Sequence, residues 1–161
     1  MKALLTIEDW NSKFEITIVG SGPQFQYFQD MADNLGLCGI NWLGSIPHSD
    51  VGTHMDSSDL LVHPSIHEAG CAVVLEAFSR GLPVISHDAF GMAFEVDDKC
   101  GIKLSYIDPE TSTLELAEAL QMLYRDPVKL KTLSEGAYLR AKELSWDCVA
   151  NEIEQVYCRV S

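Results

Sequence analysis

Two carboxylates stand eight positions apart in the run from His63 to Ser86, and they flank residues suited to holding an anion. Glu68 follows a Pro-Ser turn, and Glu76 lies inside an apolar, alanine-rich run that predicts a helix. The small-residue segment 69–72 falls where that helix should begin. A helix amino terminus offers unpaired N–H groups and the positive end of the helix dipole. This order suits a ligand with hydroxyl groups at both ends and an anionic middle, such as a nucleotide-diphosphate sugar.

The same two carboxylates suggest glycosidase chemistry, but their spacing argues against it. Eight residues of helix rise about 12 Å, whereas the paired carboxyl groups of glycosidases lie roughly 5–9.5 Å apart. Two plainer roles stay open. In these roles Glu76 is a solvated helix residue. Glu68 is a negative charge near the helix amino terminus, which stabilises the helix by about 0.3–1 kcal/mol through the helix dipole.

The histidines crowd into positions 48–87, which raises the question of a metal site. They are His48, His54, His63, His67 and His87. Pro64 separates His63 from His67, so these two do not share a helix, and His67-Glu68 lacks the second histidine of the zinc-binding H-E-x-x-H pattern. The sequence predicts no metal and no cofactor. His63, at the end of a predicted strand, is the histidine expected to touch a ligand.

Gly20-Ser21-Gly22 follows a β-branched run and forms half of a dinucleotide-binding fingerprint. Phe25 stands where the third glycine would be, so the full G-x-G-x-x-G pattern is absent. The segment is either a tight turn that starts a helix or part of the wall of a nucleotide site, and both interpretations stay open.

Apolar runs and amphipathic segments alternate along the chain, which predicts strands alternating with helices. The predicted strands cover 16–19, 40–44, 60–63, 83–86 and 102–104, and the first predicted helices cover 24–35, 49–57 and 72–79. This order predicts an α/β fold with a Rossmann-like parallel sheet covered by helices on both faces. Ligands bind such sheets at the carboxyl ends of the strands, where the loops at 20–23, 44–46, 64–68 and 86–91 fall.

Three further helices are predicted to complete the chain. Ser112 with Glu115 has the spacing of a capping box. Asp126 followed by Pro127 predicts the start of the second helix, and Ser145 is expected to cap a last helix over about 145–160. No linker interrupts the chain, so residues 1–161 are expected to form one domain.

The formal net charge of −13 at pH 7 argues against nucleic acid or anionic lipid as a partner. No apolar run approaches the roughly 18 residues that a membrane span needs. The five cysteines are odd in number and form no CxxC pair, which fits a reducing cytoplasm. The negative charge also opposes an anionic ligand at long range, so local geometry or another domain has to supply the attraction.

Several segments together resemble a known family. The order IVGSGP, NWLGSI, DLLVHPSIHEAGCAVVLEAFSRGLPVIS, FGMAFEV and CGIKL is similar to the carboxy-terminal domain of family 4 retaining glycosyltransferases of the GT-B fold. The resemblance covers about residues 1–160, and its most specific part is P-S-x-x-E-x7-E-A followed by G-L-P-V-I. It implies a domain that binds the nucleotide-sugar donor in an enzyme of polysaccharide or glycoconjugate synthesis.

The resemblance also implies roles for particular residues. Glu68 would face the hydroxyl groups of the donor sugar at the catalytic centre, and Glu76 would hydrogen-bond the ribose. The other implied contacts are backbone N–H groups around the diphosphate (Gly70, Cys71, Ala72, Val73), a loop bordering the nucleobase (Ser45, Ile46), and close approach of the backbone (Gly20, Gly22).

The chain departs from the family pattern in two places. The family usually has Glu-Gly-Phe-Gly where this chain has Glu68-Ala69-Gly70-Cys71, which opens space near the sugar and puts a side chain near the phosphates. The family domain also begins with a strand carrying an arginine, followed by a lysine, and these neutralise the diphosphate. We expect that nothing before Ile16 provides them, that Lys2 is at most a stand-in, and that the amino-terminal acceptor domain is missing as well. We therefore expect weak donor binding and no sugar transfer by the chain alone.

In the usual strand order of such sheets, 3-2-1-4-5-6, the missing strand is central. Three alternatives stay open for this gap. Either residues 1–8 fill it, or the neighbouring strands close up, or another chain supplies a strand, as in a homo-oligomer that forms through the unpaired edge. Two other functions stay open. One is a non-catalytic interaction module that kept the fold, and the other is a fragment of a sugar-nucleotide epimerase.

Overall fold

The computed structural model describes residues 1–66 and 70–160, without the side chain of Val160. The predicted role of Glu68 concerns a residue outside the described part of the chain and stays a prediction. The strands are β1 (Ile16–Val19), β2 (Ile40–Gly44), β3 (Leu61–His63), β4 (Val84–His87) and β5 (Gly101–Leu104). The helices are α1 (Lys2–Leu5), α2 (Trp10–Lys13), α3 (Phe25–Asn34), α4 (His48–Asp56), α5 (Ala72–Ser79), α6 (Phe90–Glu95), α7 (Pro109–Arg125), α8 (Pro127–Glu143) and α9 (Trp146–Val160).

The predicted alternation of strands and helices is confirmed. β1, β2 and α5 have the predicted limits, and the other predicted strands and the helices α3 and α4 differ from prediction by a residue or so at their ends. The short helices α1, α2 and α6 were not predicted, because four to six residues are too few to establish a helical period.

The strands form two parallel sheets instead of the predicted single sheet. β1 pairs with β2, with Ile16 opposite Ile40. β4 pairs with β3 and with β5, so that Val84 lies opposite both Leu61 and Gly101. Within the described residues no pairing joins the first sheet to the second.

Two layers of helices cover the sheets. Consecutive residues of a strand point to opposite faces. In β4, Val84 belongs to the same core cluster as Met55 of α4, whereas Ile85 belongs to the same cluster as Leu123 of α7. The α7 layer also contains α1 and α3, because Leu120 of α7 joins the clusters around Ala3, Leu4 and Ala32. α3 and α4 therefore cover opposite faces.

This placement of the helices decides the order of the strands. Connections between parallel strands of one sheet are almost always right-handed. The connection from β1 to β2 runs through α3 on one face, and the connection from β2 to β3 runs through α4 on the other. The two connections step in opposite directions, so β3 lies on the side of β1 that faces away from β2. The order is β2-β1, an unpaired space, and β3-β4-β5.

Residues 1–8 do not fill this space as a strand. Lys2–Leu5 forms α1, whose Ala3 and Leu4 are buried in the α7 layer. Direct pairing of β1 with β3 does not close the space either. Two of the three expected solutions are therefore wrong, and supply of a strand by another chain stays a prediction.

The main core lies around β4 and α5. All four residues of β4 are buried, as are Val74 and Phe78 of α5. β1 and β3 instead alternate between half-buried and exposed residues. None of the described helices is both long enough and apolar enough to cross a membrane.

The predicted capping box of Ser112 and Glu115 is wrong. Asp108 caps α7, and its Oδ1 accepts hydrogen bonds of 2.8 Å from the backbone N–H groups of Glu110 and Thr111. An aspartate before a proline at the first helical position is a stronger start signal than a serine one turn later. Ser112 thus lies inside the helix.

Glu115 has a different partner, outside its own helix. Its carboxylate accepts hydrogen bonds from the backbone N–H and the hydroxyl of Ser105, which follows β5. The other two predicted caps are confirmed, since Asp126 accepts from the N–H of Lys129 at 2.9 Å and Ser145 accepts from that of Cys148 at 3.4 Å.

Candidate functional site

The loops that follow β1 and β2 meet at the carboxyl ends of these strands. The N–H of Gly20 donates to the carbonyl of Gly44 at 2.8 Å, and both residues have positive φ, +127° and +66°. Glycine adopts this conformation without the steric cost other residues meet. A Cβ on Gly20 or Gly22 would meet no described atom within 4 Å. Both residues border open space, and the approach of a ligand to the backbone here stays a prediction.

The predicted nucleobase loop leads directly to the predicted ribose carboxylate. Ser45 is exposed and Ile46 half-buried, and α4 begins two residues later. His48, the first residue of α4, places Nε2 3.7 Å from Oε1 of Glu76 on α5. The Glu76 side chain is 39% exposed. Two segments distant in sequence are thus brought together at one end of the sheet.

The amino terminus of α5 is held by a carboxylate that the sequence did not reveal. Cys71 is the N-terminal cap of α5, and its backbone N–H donates to the Glu95 carboxylate, 3.1 Å from Oε1 and 3.4 Å from Oε2. Glu95 ends α6 and is only 9% exposed. The Cys71 N–H, which was expected to meet a diphosphate, is therefore already bonded. Gly70 and Ala72 are exposed and Val73 is half-buried.

His63 and Cys71 meet beside this helix terminus. Nε2 of His63, at the end of β3, lies 3.2 Å from Sγ of Cys71. His63 is half-buried and Cys71 is 5% exposed. This contact holds the cap residue of α5 against the end of a strand, and the role of His63 toward a ligand stays a prediction.

Polar atoms are also buried at the end of β4. Ser86 Oγ and His87 Nδ1 have no hydrogen-bond partner among the described residues. His87 Nε2 is hydrogen-bonded with the hydroxyl of Ser112 at 3.1 Å. Beside them Phe90 has φ of +53°, an uncommon conformation for a residue other than glycine. Its ring packs edge-on against Tyr106, with the centroids 5.9 Å apart.

Two cationic side chains near α6 are committed to protein partners. Lys103 forms an ion pair of 2.9 Å with Asp88 and donates to the carbonyl of Ala93. Arg140 donates to the carbonyl of Glu95 at 3.1 Å and pairs with Glu143 at 2.9 Å. Both cationic side chains therefore already have protein partners, which any ligand phosphate would have to displace.

No group of three or more His, Cys, Asp and Glu side chains in the described ranges is placed to hold a metal ion. All five cysteines are free thiols. Burial raises the pKa of the Cys100 thiol to about 11, so this thiol is protonated at neutral pH.

A surface cavity of about 340 Å³ lies at the opposite end of the second sheet. Asp59 and Arg80, which line it, precede β3 and β4. Arg80 is paired with Asp56 at 2.6 Å. Since ligands of α/β sheets bind at the carboxyl ends of the strands, this cavity is separate from the candidate site.

Sequence reasoning missed His48 and Glu95 as parts of the site. Glu95 bonds to a residue 24 positions away, and no local periodicity reports such a contact. The sequence showed that the histidines crowd into positions 48–87, but nothing in it indicated which carboxylate His48 contacts.

Comparison with known proteins identifies the family. The sequence profile described as "Glycosyl transferases group 1" matches residues 1–140. A GDP-mannose-dependent alpha-mannosyltransferase of Corynebacterium glutamicum is 25% identical over 150 residues, covering 92% of this chain and 34% of that protein. The gpi3 subunit of phosphatidylinositol N-acetylglucosaminyltransferase of Schizosaccharomyces pombe is 30% identical over 147 residues, covering 90% and 31%. The chain thus spans about a third of the length of these relatives.

The fold agrees with this match. HepE of Anabaena, solved in complex with UDP-glucose, is similar to 98% of this chain with a TM-score of 0.77 and 23% identity, over 43% of its own chain. At this identity the likeness concerns the fold, which is that of GT-B glycosyltransferases. The chain belongs to the group 1 glycosyl transferases and resembles the carboxy-terminal domain of these enzymes.

Proposed function

We propose that this chain is the donor-binding domain of a retaining glycosyltransferase, and that it binds a nucleotide-diphosphate sugar at the carboxyl ends of its strands. In this proposal Glu76 hydrogen-bonds the ribose, Ser45 and Ile46 border the nucleobase, and Glu68 faces the sugar. In this proposal a separate amino-terminal domain binds the acceptor, and the chain alone transfers no sugar.

One observation carries the proposal: the approach of His48 Nε2 to Glu76 Oε1 at 3.7 Å joins the proposed nucleobase loop to the helix whose amino terminus would hold the phosphates. The bond from Gly20 to Gly44 brings a second loop to the same edge. The relatives support a nucleotide-sugar ligand, since the names of two of the proteins above state GDP-mannose and UDP-glucose.

The diphosphate in this proposal meets Ala72 and Val73 at the first turn of α5, because Glu95 already accepts from Cys71. A helix amino terminus contributes about 1–2 kcal/mol to anion binding, whereas millimolar affinity requires about −4 kcal/mol. Donor affinity of the isolated chain is therefore expected in the high micromolar range or weaker.

Calorimetric titration of the chain with UDP-, GDP- and ADP-sugars tests the proposal. Glu76→Ala should weaken binding of the preferred donor about tenfold, since a hydrogen bond to a charged group contributes about 1.5–3 kcal/mol. Glu118→Ala is the matched control, because Glu118 is an exposed carboxylate on α7, away from the site. Equal affinity of Glu76→Ala and Glu118→Ala would contradict the ribose assignment, and tight binding by the wild-type chain would contradict the weak-donor estimate.

A second candidate function is a non-catalytic interaction module with the same fold. The hydrogen bond from Cys71 to the Glu95 carboxylate favours it, because a protein anion already uses an N–H of the phosphate-binding turn. Glu68→Ala separates the two candidates. It should weaken nucleotide-sugar binding if the chain is a donor domain and leave all measured binding unchanged if the chain is only an interaction module.

A further inference from the structure

The Glu95 carboxylate lies against the turn that leads into α5, beside the proposed place of the donor phosphates. Its two oxygens lie 3.1 Å and 3.4 Å from the backbone nitrogen of Cys71, which donates to them. A Cβ on Gly70, the preceding residue, would lie 3.4 Å from Oε1. Glu95 itself is only 9% exposed. The first turn of α5 therefore has a protein carboxylate packed directly against it.

The end of α6 keeps this carboxylate in place. Arg140 donates to the backbone carbonyl of Glu95 at 3.1 Å and to that of Phe94 at 2.6 Å, and it pairs with the side chain of Glu143. The guanidinium thus holds the backbone of Glu95 and not its carboxylate. In the part of the chain that the structure describes, no Lys or Arg forms an ion pair with the Glu95 carboxylate.

Two charges at this turn have opposite effects on an anion. A helix amino terminus acts as about half a positive charge, whereas a carboxylate carries a full negative charge. At similar distances the carboxylate outweighs the helix dipole, so each negative charge added to a ligand at the turn weakens its binding. Directed hydrogen bonds from the N–H groups of Ala72 and Val73 still favour a phosphate group there.

A nucleotide sugar and the nucleoside diphosphate left after sugar transfer differ by such a charge. When the bond from the sugar to the terminal phosphate oxygen breaks, the oxygen keeps the electron pair, and the sugar joins the acceptor hydroxyl, which loses its proton. A terminal phosphate has a second pKa near 6 and carries about −1.5 to −2 at pH 7. The phosphate esterified with the sugar lacks this second ionisation.

We infer that Glu95 is a specificity-determining residue, which makes the turn before α5 prefer the esterified diphosphate of a nucleotide sugar to a free nucleoside diphosphate. The inference rests on the proposed function. A phosphate at Ala72 or Val73 would lie roughly 6 Å from the carboxylate, since the N–H groups of one helical turn are close together. One added charge at that distance weakens binding about threefold in bulk water and about a hundredfold at an effective dielectric constant of about 20. In the full enzyme the same repulsion favours release of the diphosphate product.

Ligand-observed NMR titration, which measures weak affinities, tests this inference. The probes are UDP-glucose, UDP, and UDP methylated on its terminal phosphate, which lacks the added charge but carries no sugar. GDP-mannose, GDP and its methyl ester form a second series, and the series with the tighter nucleotide sugar is used. The buffer contains EDTA, because divalent cations would neutralise the free phosphate.

Glu95→Gln and Glu118→Gln form the matched pair of variants. Glutamine at position 95 keeps an oxygen that can accept from Cys71 and removes the charge. Glu118→Gln removes a charge of the same sign from an exposed position on α7, away from the site. Far-UV circular dichroism shows whether each variant is folded, and Glu95→Ala is the second neutral variant if Glu95→Gln is not.

The wild-type chain and Glu118→Gln should bind the methyl ester at least threefold more tightly than the free diphosphate. Glu95→Gln should lose this preference, because only the helix dipole then remains at the turn. A change that weakens or strengthens both ligands equally would indicate a merely structural role and overturn the inference. Equal binding of ester and free diphosphate by the wild type would also overturn it, while binding of the nucleotide sugar would leave the proposed function in place. Absence of binding by every nucleotide to the wild type and to Glu95→Gln would overturn both.

Discussion

Single carboxylates of this chain are used for local structure as well as for the candidate site. Glu95 accepts from Cys71 at the start of α5, Glu115 accepts from Ser105, and Asp108 caps α7. Each satisfies backbone N–H groups that a strand or helix end leaves unpaired. The acidic composition is therefore partly structural, and a carboxylate near the site is not by itself a ligand contact.

Asp108 yields a prediction about pH. Hydrogen bonds from the hydroxyl and N–H of Thr111 hold the pKa of its carboxyl below the usual value of 3.8. A lowered folded-state pKa stabilises the fold above the unfolded pKa, and this contribution is lost as pH falls through the folded pKa. Asp108→Ala should therefore be less stable than wild type at pH 7, and the difference should shrink below about pH 4.

Thermal unfolding of wild type, Asp108→Ala and Asp108→Asn from pH 3 to pH 7 measures this effect. Asparagine caps helices nearly as well as aspartate but does not titrate. A difference between wild type and Asp108→Ala that is the same at every pH would show that charge has no part in the cap.

At the scale of elements, α8 packs at very short range against the turn that precedes β5. It closes over α5 through Ala137, which is fully buried in the core cluster of Phe78 and Val84. A Cβ on Gly136 would lie 1.9 Å from the carbonyl oxygen of Lys99, before β5. The glycine therefore allows a helix and a loop to meet backbone to backbone.

Gly136→Ala should destabilise the protein, although alanine is the better helix former by about 1 kcal/mol. The added methyl group would overlap backbone atoms that cannot turn aside, and overpacking costs about 1–3 kcal/mol. Urea unfolding should show a lower midpoint with an unchanged slope. Glu135→Ala, at the exposed neighbouring position, should change stability by less than about 0.5 kcal/mol. A stabilised Gly136→Ala would mean that the close approach relaxes without cost.

At the scale of the whole molecule, the negative net charge of the chain repels the proposed ligand. The chain carries a formal charge of −13, and a nucleotide sugar is an anion. In the described part of the chain, Lys103 and Arg140, the cations near the site, already have partners. Attraction then has to come from backbone dipoles at short range, while repulsion acts over longer distances.

Salt should therefore strengthen donor binding by the isolated chain. Raising the ionic strength from about 0.01 M to 0.15 M shortens the Debye length from about 30 Å to about 8 Å. This screens the long-range repulsion more than short contacts with N–H groups, so the donor Kd should fall a few-fold. Equilibrium dialysis at both ionic strengths measures the change. A Kd that rises with salt would mean that cationic side chains carry the binding.

The sequence alone determined the order of the strands and of the longer helices, most of their ends to within a residue or so, and the family, because these depend on local periodicity, turn residues and a continuous motif. It also predicted a site at the carboxyl ends of the strands, since that expectation follows from parallel α/β order. It did not determine that Glu95 occupies an N–H of α5, that His48 meets Glu76, or that Asp108 replaces Ser112 as a cap. Contacts across many residues and competition between caps depend on packing. The sequence also indicated a gap in the sheet, but only the tertiary structure showed that neither residues 1–8 nor pairing of β1 with β3 closes it, because pairing is decided by which edges meet in space.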